Sequence, residues 1–377
     1  MPDELIAAHT ARAAAHELPA VESREHPAVE SHELPAVESL AHLLTHAEHP
    51  VVVLCSQVWT ARATDAAVDL IRTLGLPAYA DGAARGTLPP GDAQHFLHSR
   101  AYAFAGADVI LVVGAPFDLR ALRAGYGRRL APHATIVQID AGHVLRSVAR
   151  AAAGLRFQER ADRAAVRRKE WLDELRTAEQ TAEALWQRHL TSDASPVHPF
   201  RLLAEIDRFL TEDSVFIADD PRSAELAGRL VRPRAPGHWM DPGPLGTAGA
   251  GIPFALAVHR SCADKETVVL FGDDPSTSAT WDSEVLVRRH LPFVGVVAHS
   301  GGALFANRAP MYGMHAEDVR DPAAIRPALE RARSSGGPAL IGVRIDPDAY
   351  LPGSVNSPHH PSEQSDLNRQ NDQSRNK

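Results

Sequence analysis

The sequence predicts an α/β protein built from two doubly wound parallel-sheet domains. Three observations predict it. Runs such as VVVLCS (51–56), DVILVVG (108–114), TVVLFGDD (267–274) and FVGVVAHS (293–300) are of strand length and almost wholly apolar. That suits strands covered on both faces. Segments of helical spacing alternate with these runs, which places helices on both sides of a sheet. The alternation occurs twice, on either side of a long charged stretch at 158–190.

The first series opens with LAHLLTHAEHP (40–50), a short helix that Pro50 stops. VVVLCS is the first strand. TDAAVDLIRTLG (64–75) is a helix with Gly75 at its C-cap, and LPAYAD (76–81) a second short strand. AYAFAGA (101–107) is helical, and DVILVVG and ATIVQID (134–140) are strands. QERADRAAVRRKEWLDELRTAEQTAEALWQRHL (158–190) reads as a solvated connecting helix, with Trp171, Leu175 and Leu185 as its few apolar anchors.

The second series begins near Pro196. PFRLLAEIDRFL (199–210) is an amphipathic helix and SVFIADD (214–220) a strand. GTAGAGIPFALAVHR (246–260) is a Gly-rich turn running into a helix, and TVVLFGDD is a strand. SEVLVRRH (283–290) is a helix, FVGVVAHS a strand, AAIRPALERARSS (323–335) a helix and ALIGVRID (339–346) the last strand. The expected organisation is a leader at 1–39, a central domain at 40–155, a linker helix at 156–195, a second domain at 196–350 and a tail at 351–377.

The leader holds three copies of an octapeptide, HELPAVES, REHPAVES and HELPAVES, at 16–39. A Pro in each copy prevents a continuous helix, and so few apolar residues cannot offset the entropy of ordering. A flexible segment is expected there, and another in the polar tail. His16, His26 and His32 recur with the repeat, but nothing fixes their geometry for a metal. The net charge of −8, with no Lys/Arg run, argues against a nucleic-acid surface. No apolar run reaches membrane-spanning length and no export leader is evident, so a cytoplasmic protein is expected. Cys55 and Cys262, beside apolar segments, are expected to be buried free thiols.

WMDPGPLGTAGAGIPFALA, followed by VVLFGDD and WDSEVLVRRHLPFVGVVAHS, resembles the thiamine-diphosphate enzymes of the acetolactate synthase type. Within that family the stretches most resemble those of acetolactate-synthase-like proteins, 2-hydroxyacyl-CoA lyases and oxalyl-CoA decarboxylases. DGAARGTLPP (81–90), SRAYAFAGADVILVVGAPFDLR (99–120) and SDASPVHPFRLLAEI (192–206) resemble the family's middle domain and the lead into its diphosphate-binding domain. The resemblance implies a third domain, which binds the cofactor's aminopyrimidine ring and supplies a Glu. The segment before residue 40 is too short for it, so its absence is expected.

The resemblance further implies a cofactor cradle. Gly246, Thr247, Ala248, Gly272, Asp273 and Asp274 fall at cofactor-binding positions, and Asp273, Ser300 and the Gly302 carbonyl at those of a magnesium site. Several depart from the pattern. Asp274 stands where the family has Gly. Two like charges at about 4 Å and an effective dielectric near 20 cost about 4 kcal/mol. Pro275 has no N–H to offer a phosphate. His299 and Ser300 replace an Asn pair, and Ala248 replaces a bulky side chain that props the cofactor. A long connection after Ser300 is also short here. Asp273 also reads as an ordinary strand-end cap. Gly246, Gly249 and Gly251 read equally as close helix–sheet packing.

In the middle domain the family binds FAD, ADP, CoA or nothing. Gly114, Arg120 and Arg85 are candidate nucleotide contacts, and Asp140 could touch a ribose or cap a helix. The sequence names no catalytic residue. It supports three readings: a cofactor-poor homologue serving as a binding or scaffold subunit, one half of a split enzyme whose partner chain supplies the pyrimidine domain and its Glu, or a nucleotide-binding module. A homo-oligomer or such a partner is expected, to cover the face where the pyrimidine domain would dock.

Overall fold

The computed structural model describes residues 37–115, 130–155, 159–243, 246–272, 279–301 and 309–349. The expected flexible leader and tail lie almost wholly outside these. The last repeat is not all leader, however. Its Val-Glu-Ser opens the first helix, α1 Val37–His46, ahead of the expected Leu40, with Glu38 in the first turn where the helix dipole favours an acid.

The first domain runs β1 Pro50–Leu54, α2 Gln57–Thr60, α3 Thr64–Leu74, β2 Ala78–Ala80, α4 Arg100–Gly106, β3 Val109–Val113, β4 Thr135–Ile139 and α5 His143–Leu155. Its parallel sheet has the order β2-β1-β3-β4, with Val52 beside Ala78 and Val51 beside Ile110. The period of two sorts the strands by face. Val52 and Leu54 join α1, α3 and α5, whereas Val51 and Val53 join Phe104 of α4 and Trp171. Gly75 ends α3 in the left-handed conformation, as expected. α5 was not expected. Leu145, Val148 and Ala152 hold it against α1 and α3, a helical spacing partly hidden among arginines and alanines.

α6 Glu159–Leu190 is more than a solvated connection. Trp171, Leu172 and Leu175 are buried against the first domain, but Leu185 is 66% exposed and anchors nothing. Two charged groups add to that docking. Arg168, 4% exposed, donates to the carbonyls of Thr45, Ala47 and Leu74 at 2.8, 2.9 and 3.0 Å. These close the C-terminal ends of α1 and α3, whose last carbonyls lack helical partners. Glu179 accepts from the N–H groups of Leu97, His98 and Ser99 and from the Ser99 hydroxyl, at the start of α4.

The second domain runs α7 Pro199–Phe209, β5 Ser214–Ala218, α8 Pro221–Ala227, β6 Trp239–Met240, α9 Gly251–Ser261, β7 Glu266–Phe271, α10 Ala279–Arg288, β8 Phe293–His299, β9 His315–Val319, α11 Ile325–Ser334 and β10 Pro338–Arg344. Its parallel sheet has the order β6-β5-β7-β8-β10-β9. Phe216, Leu270, Val296 and Ile341 face α7 and α11, while Ile217, Val269, Phe271 and Leu340 face α9 and α10. The edge strands β6 and β9 were not expected. One is two residues long and the other is the polar HAEDV, so neither carries the apolar run of a buried strand. Among the described residues no helix is long and apolar enough to cross a membrane.

Both cysteines are free, but Cys262 is exposed at the end of α9 rather than buried. Cys55 is half-buried, and burial pushes its thiol up to about 12.

His198 caps α7 by accepting the Phe200 N–H on Nδ1 at 3.1 Å, a bond only the neutral ring can make. Burial, then the neighbouring His189, pushes it down to about 4. Burial also lowers His95, His98 and His259. Unfolded, each ring takes its proton near pH 6.5, so in acid the unfolded state binds more protons. Stability should therefore hold above about pH 7 and fall as pH drops from about 6.5 towards 4. Urea midpoints across that range test this. His198→Asn, which keeps a capping acceptor but cannot titrate, should fall less steeply; a decline equal to wild type would remove His198 from the account.

Candidate functional site

Ligand sites in open parallel sheets lie outside the carboxyl ends of the strands. In the second domain that edge is built from the ends of β5, β7, β8 and β10. β5 runs into Asp219 and Asp220, and the two carboxylates serve different helices.

Asp219 is buried and reaches the Gly-rich turn, where its Oδ1 accepts Gly251 N–H at 2.7 Å and its Oδ2 accepts Gly249 N–H at 3.2 Å. Burial raises its carboxyl, and the two glycine N–H groups oppose that rise. A Cβ on Gly251 would lie 2.7 Å from both Asp219 Oδ1 and Val269 Cγ1. The glycine is therefore there for close helix–sheet packing.

Asp220 caps α8. Its Oδ1 accepts the N–H groups of Arg222 and Ser223 at 2.8 and 3.0 Å, and its Oδ2 accepts the Ser223 hydroxyl at 2.6 Å. The same Oδ2 lies against Gly272, where a Cβ would be 2.8 Å away. A carboxylate thus packs on the first residue of the Gly272-Asp273-Asp274 stretch.

Beside it opens a cleft of about 550 Å³, its mouth included. Gly272 and Ser300 line it together, with Arg222 and Ser223 of α8, and Leu202 and Leu203 form its α7 wall. Ala298 and Ser300 face this cleft, so the alternation of β8 turns His299 to the other side. His299 is 5% exposed, and its Nε2 stands 3.4 Å from Asp318 Oδ1, too poorly aligned for a hydrogen bond. The expected site is thus brought together in part. Gly272 and Ser300 share the cleft. Gly246 lies by Pro221, with Thr247 and Ala248 exposed beside it. Asp273, Asp274, Pro275 and Gly302 lie outside the described residues.

The middle-domain candidates do not form a nucleotide site among the described residues. Arg85 donates to the Gly228 carbonyl at 2.8 Å and lies 4.8 Å over the Trp239 ring, both in the second domain. Gly114 sits at φ +71 with no room for a Cβ beside Gln57 and Val58. Asp140 is exposed, and Arg120 lies outside the described residues. DGAARG is therefore a joint between domains: a Cβ on Gly86 would overlap the Ala235 carbonyl oxygen.

His98, Glu179 and Glu183 also converge, with ligand-type atoms within 4.8 Å of one another. Glu179 is fully engaged by the start of α4, and Arg232 pairs with Glu183 at 2.8 Å. The trio holds a domain junction, with Glu179 spent on backbone N–H groups and Glu183 paired to the Arg232 guanidinium.

Sequence reading missed Asp220 and Arg222. The signal was present, since Asp-Pro after a strand marks an N-cap followed by Pro at the first helical position.

Comparison with known proteins gives two family matches, "Thiamine pyrophosphate enzyme, central domain" over residues 37–154 and "Thiamine pyrophosphate enzyme, C-terminal TPP binding domain" over 223–303. A probable acetolactate synthase of Mycobacterium bovis is 31% identical over 342 residues, covering 83% of this chain and 62% of that protein. The 2-hydroxyacyl-CoA lyase 2 of Bos taurus is 29% identical over 282 residues, covering 69% of this chain and 43% of its own length. The chain thus spans less than two thirds of the length of either relative.

Proposed function

The chain belongs to the thiamine pyrophosphate enzyme family, and from that premise we propose that it does not catalyse on its own. It serves as a binding or scaffolding subunit whose second domain does not hold the diphosphate. One observation carries the reading: the Asp220 carboxylate occupies the N-terminal end of α8 and rests against Gly272.

A phosphate held at the inner end of this edge, beside Gly272, needs free backbone N–H groups. Those of Arg222 and Ser223 already serve Asp220, and those of Gly249 and Gly251 serve Asp219. A phosphate near Gly272 would meet a fixed like charge, at a cost of about 4 kcal/mol at 4 Å and an effective dielectric near 20. The described residues therefore do not fit a diphosphate. For magnesium, Ser300 offers a hydroxyl, a weaker ligand than an amide carbonyl, and His299 faces away.

The test is calorimetric titration of the full chain with thiamine diphosphate and Mg²⁺. No saturable binding is expected up to about 1 mM, a Kd equivalent to only about −4 kcal/mol. A micromolar Kd would overturn the reading. Asp220→Asn keeps the cap and removes the charge, so a gain of binding in that variant would place the block at this carboxylate.

A further inference from the structure

We propose that the cleft at the carboxyl edge of the second sheet binds a short aliphatic monocarboxylate, with its chain in the apolar slot and its carboxylate on Arg222. The inference rests on the reading above, that no diphosphate occupies this cleft.

The slot runs between α7 and the strand ends. Leu202, Leu203 and Leu270 are buried at its base, and Leu226 and Ile345 are half-buried along its sides. Its volume of about 550 Å³ counts the open solvent at its mouth, so the enclosed part is a narrow slot. Small-molecule sites join an apolar body to a few polar groups that fix orientation, and this cleft has that composition. The Ser223 hydroxyl is committed to Asp220. Arg222 is different: it is exposed at the mouth, and among the described residues its guanidinium has no hydrogen-bond or ion-pair partner.

A guanidinium presents a planar fork that matches a carboxylate with two parallel hydrogen bonds. The charge pattern selects one negative charge and no more. A single carboxylate at the mouth pairs with Arg222. A polyanion reaching inward to Gly272 meets Asp220, whose oxygens already accept three hydrogen bonds. A cationic head would face Arg222, and an alcohol would be held by its chain alone.

The experiment is calorimetry and ligand-detected NMR on the full chain with butanoate, hexanoate, octanoate, hexan-1-ol and hexylamine. Thiamine diphosphate with Mg²⁺ is titrated separately. The acids should bind, and each added methylene should tighten binding about fourfold while the slot has room. Hexylamine should be weaker than hexanoate by about tenfold or more. Arg222→Gln, at an exposed position that does not threaten folding, should weaken hexanoate by about tenfold and leave hexan-1-ol unchanged. Leu203→Trp should fill the slot and weaken all of them. The proposal is overturned if hexanoate and hexylamine bind alike, if Arg222→Gln binds hexanoate like wild type, or if no acid binds. Where neither acids nor cofactor bind, this proposal alone falls. Tight cofactor binding would overturn it together with the reading beneath it.

Discussion

Arg168→Ala should destabilise the chain by about 3–5 kcal/mol in a urea or guanidinium titration. The side chain is buried, and its guanidinium is shared among three carbonyls, those of Thr45 in the last turn of α1, of Ala47 just after it and of Leu74 at the end of α3. Hydrogen bonds from a charged donor contribute about 1.5–3 kcal/mol each, and a buried acceptor left bare costs about 1–3. Removing the donor opens a cavity and strands those carbonyls at once. Its neighbour supplies the control. Arg167 is exposed, with ion pairs to Glu48 and Glu170 at the surface. Arg167→Ala should cost no more than about 0.5 kcal/mol, as surface pairs do. Equal losses in the two variants would mean that Arg168 does not hold α6 to the first domain.

Gly86→Ala should cost about 2–4 kcal/mol, because backbone strain and a clash act together. Gly86 lies at φ +86, and a Cβ there runs into the Ala235 carbonyl oxygen of the other domain. A backbone carbonyl cannot rotate away as a flexible side chain would. Gly91 separates the two effects. It has nearly the same conformation, φ +84, with nothing within 4 Å of an added Cβ. Gly91→Ala should therefore show the strain alone, about 1 kcal/mol. Hydrogen exchange should locate the difference. In Gly86→Ala the amides around Gly228 and Trp239 should exchange faster, since Arg85 holds both and moves with Gly86. Unchanged protection there would show that DGAARG does not lock the domains.

The strands buried on both faces were legible because nothing but burial explains VVVL or VILVV, and most came out within a residue or two of expectation. β6 and β9 were not legible, because an edge strand needs no apolar run. Leu185 failed for the opposite reason: it fits the helical spacing, but the helix turns that face to water. Arg167 and Arg168 are adjacent and identical in type, so no local pattern tells the surface arginine from the buried one. Of the candidate site, the glycines of the turn were readable and their packing role was among the readings offered.

By itself the sequence determined the α/β architecture with two parallel sheets, most of the helices and the strands buried on both faces, and the family resemblance. These follow from short-range apolar periodicity and from motifs a few residues long. Tertiary structure alone decided where the charges act. Asp220 faces Gly272, Arg85 crosses to Gly228, and Arg168 gathers carbonyls from two helices, contacts that span between 52 and 143 positions along the chain. A charged side chain has the same local signature whether it ends in water or on a distant backbone, because its partner is fixed by the packing of whole elements.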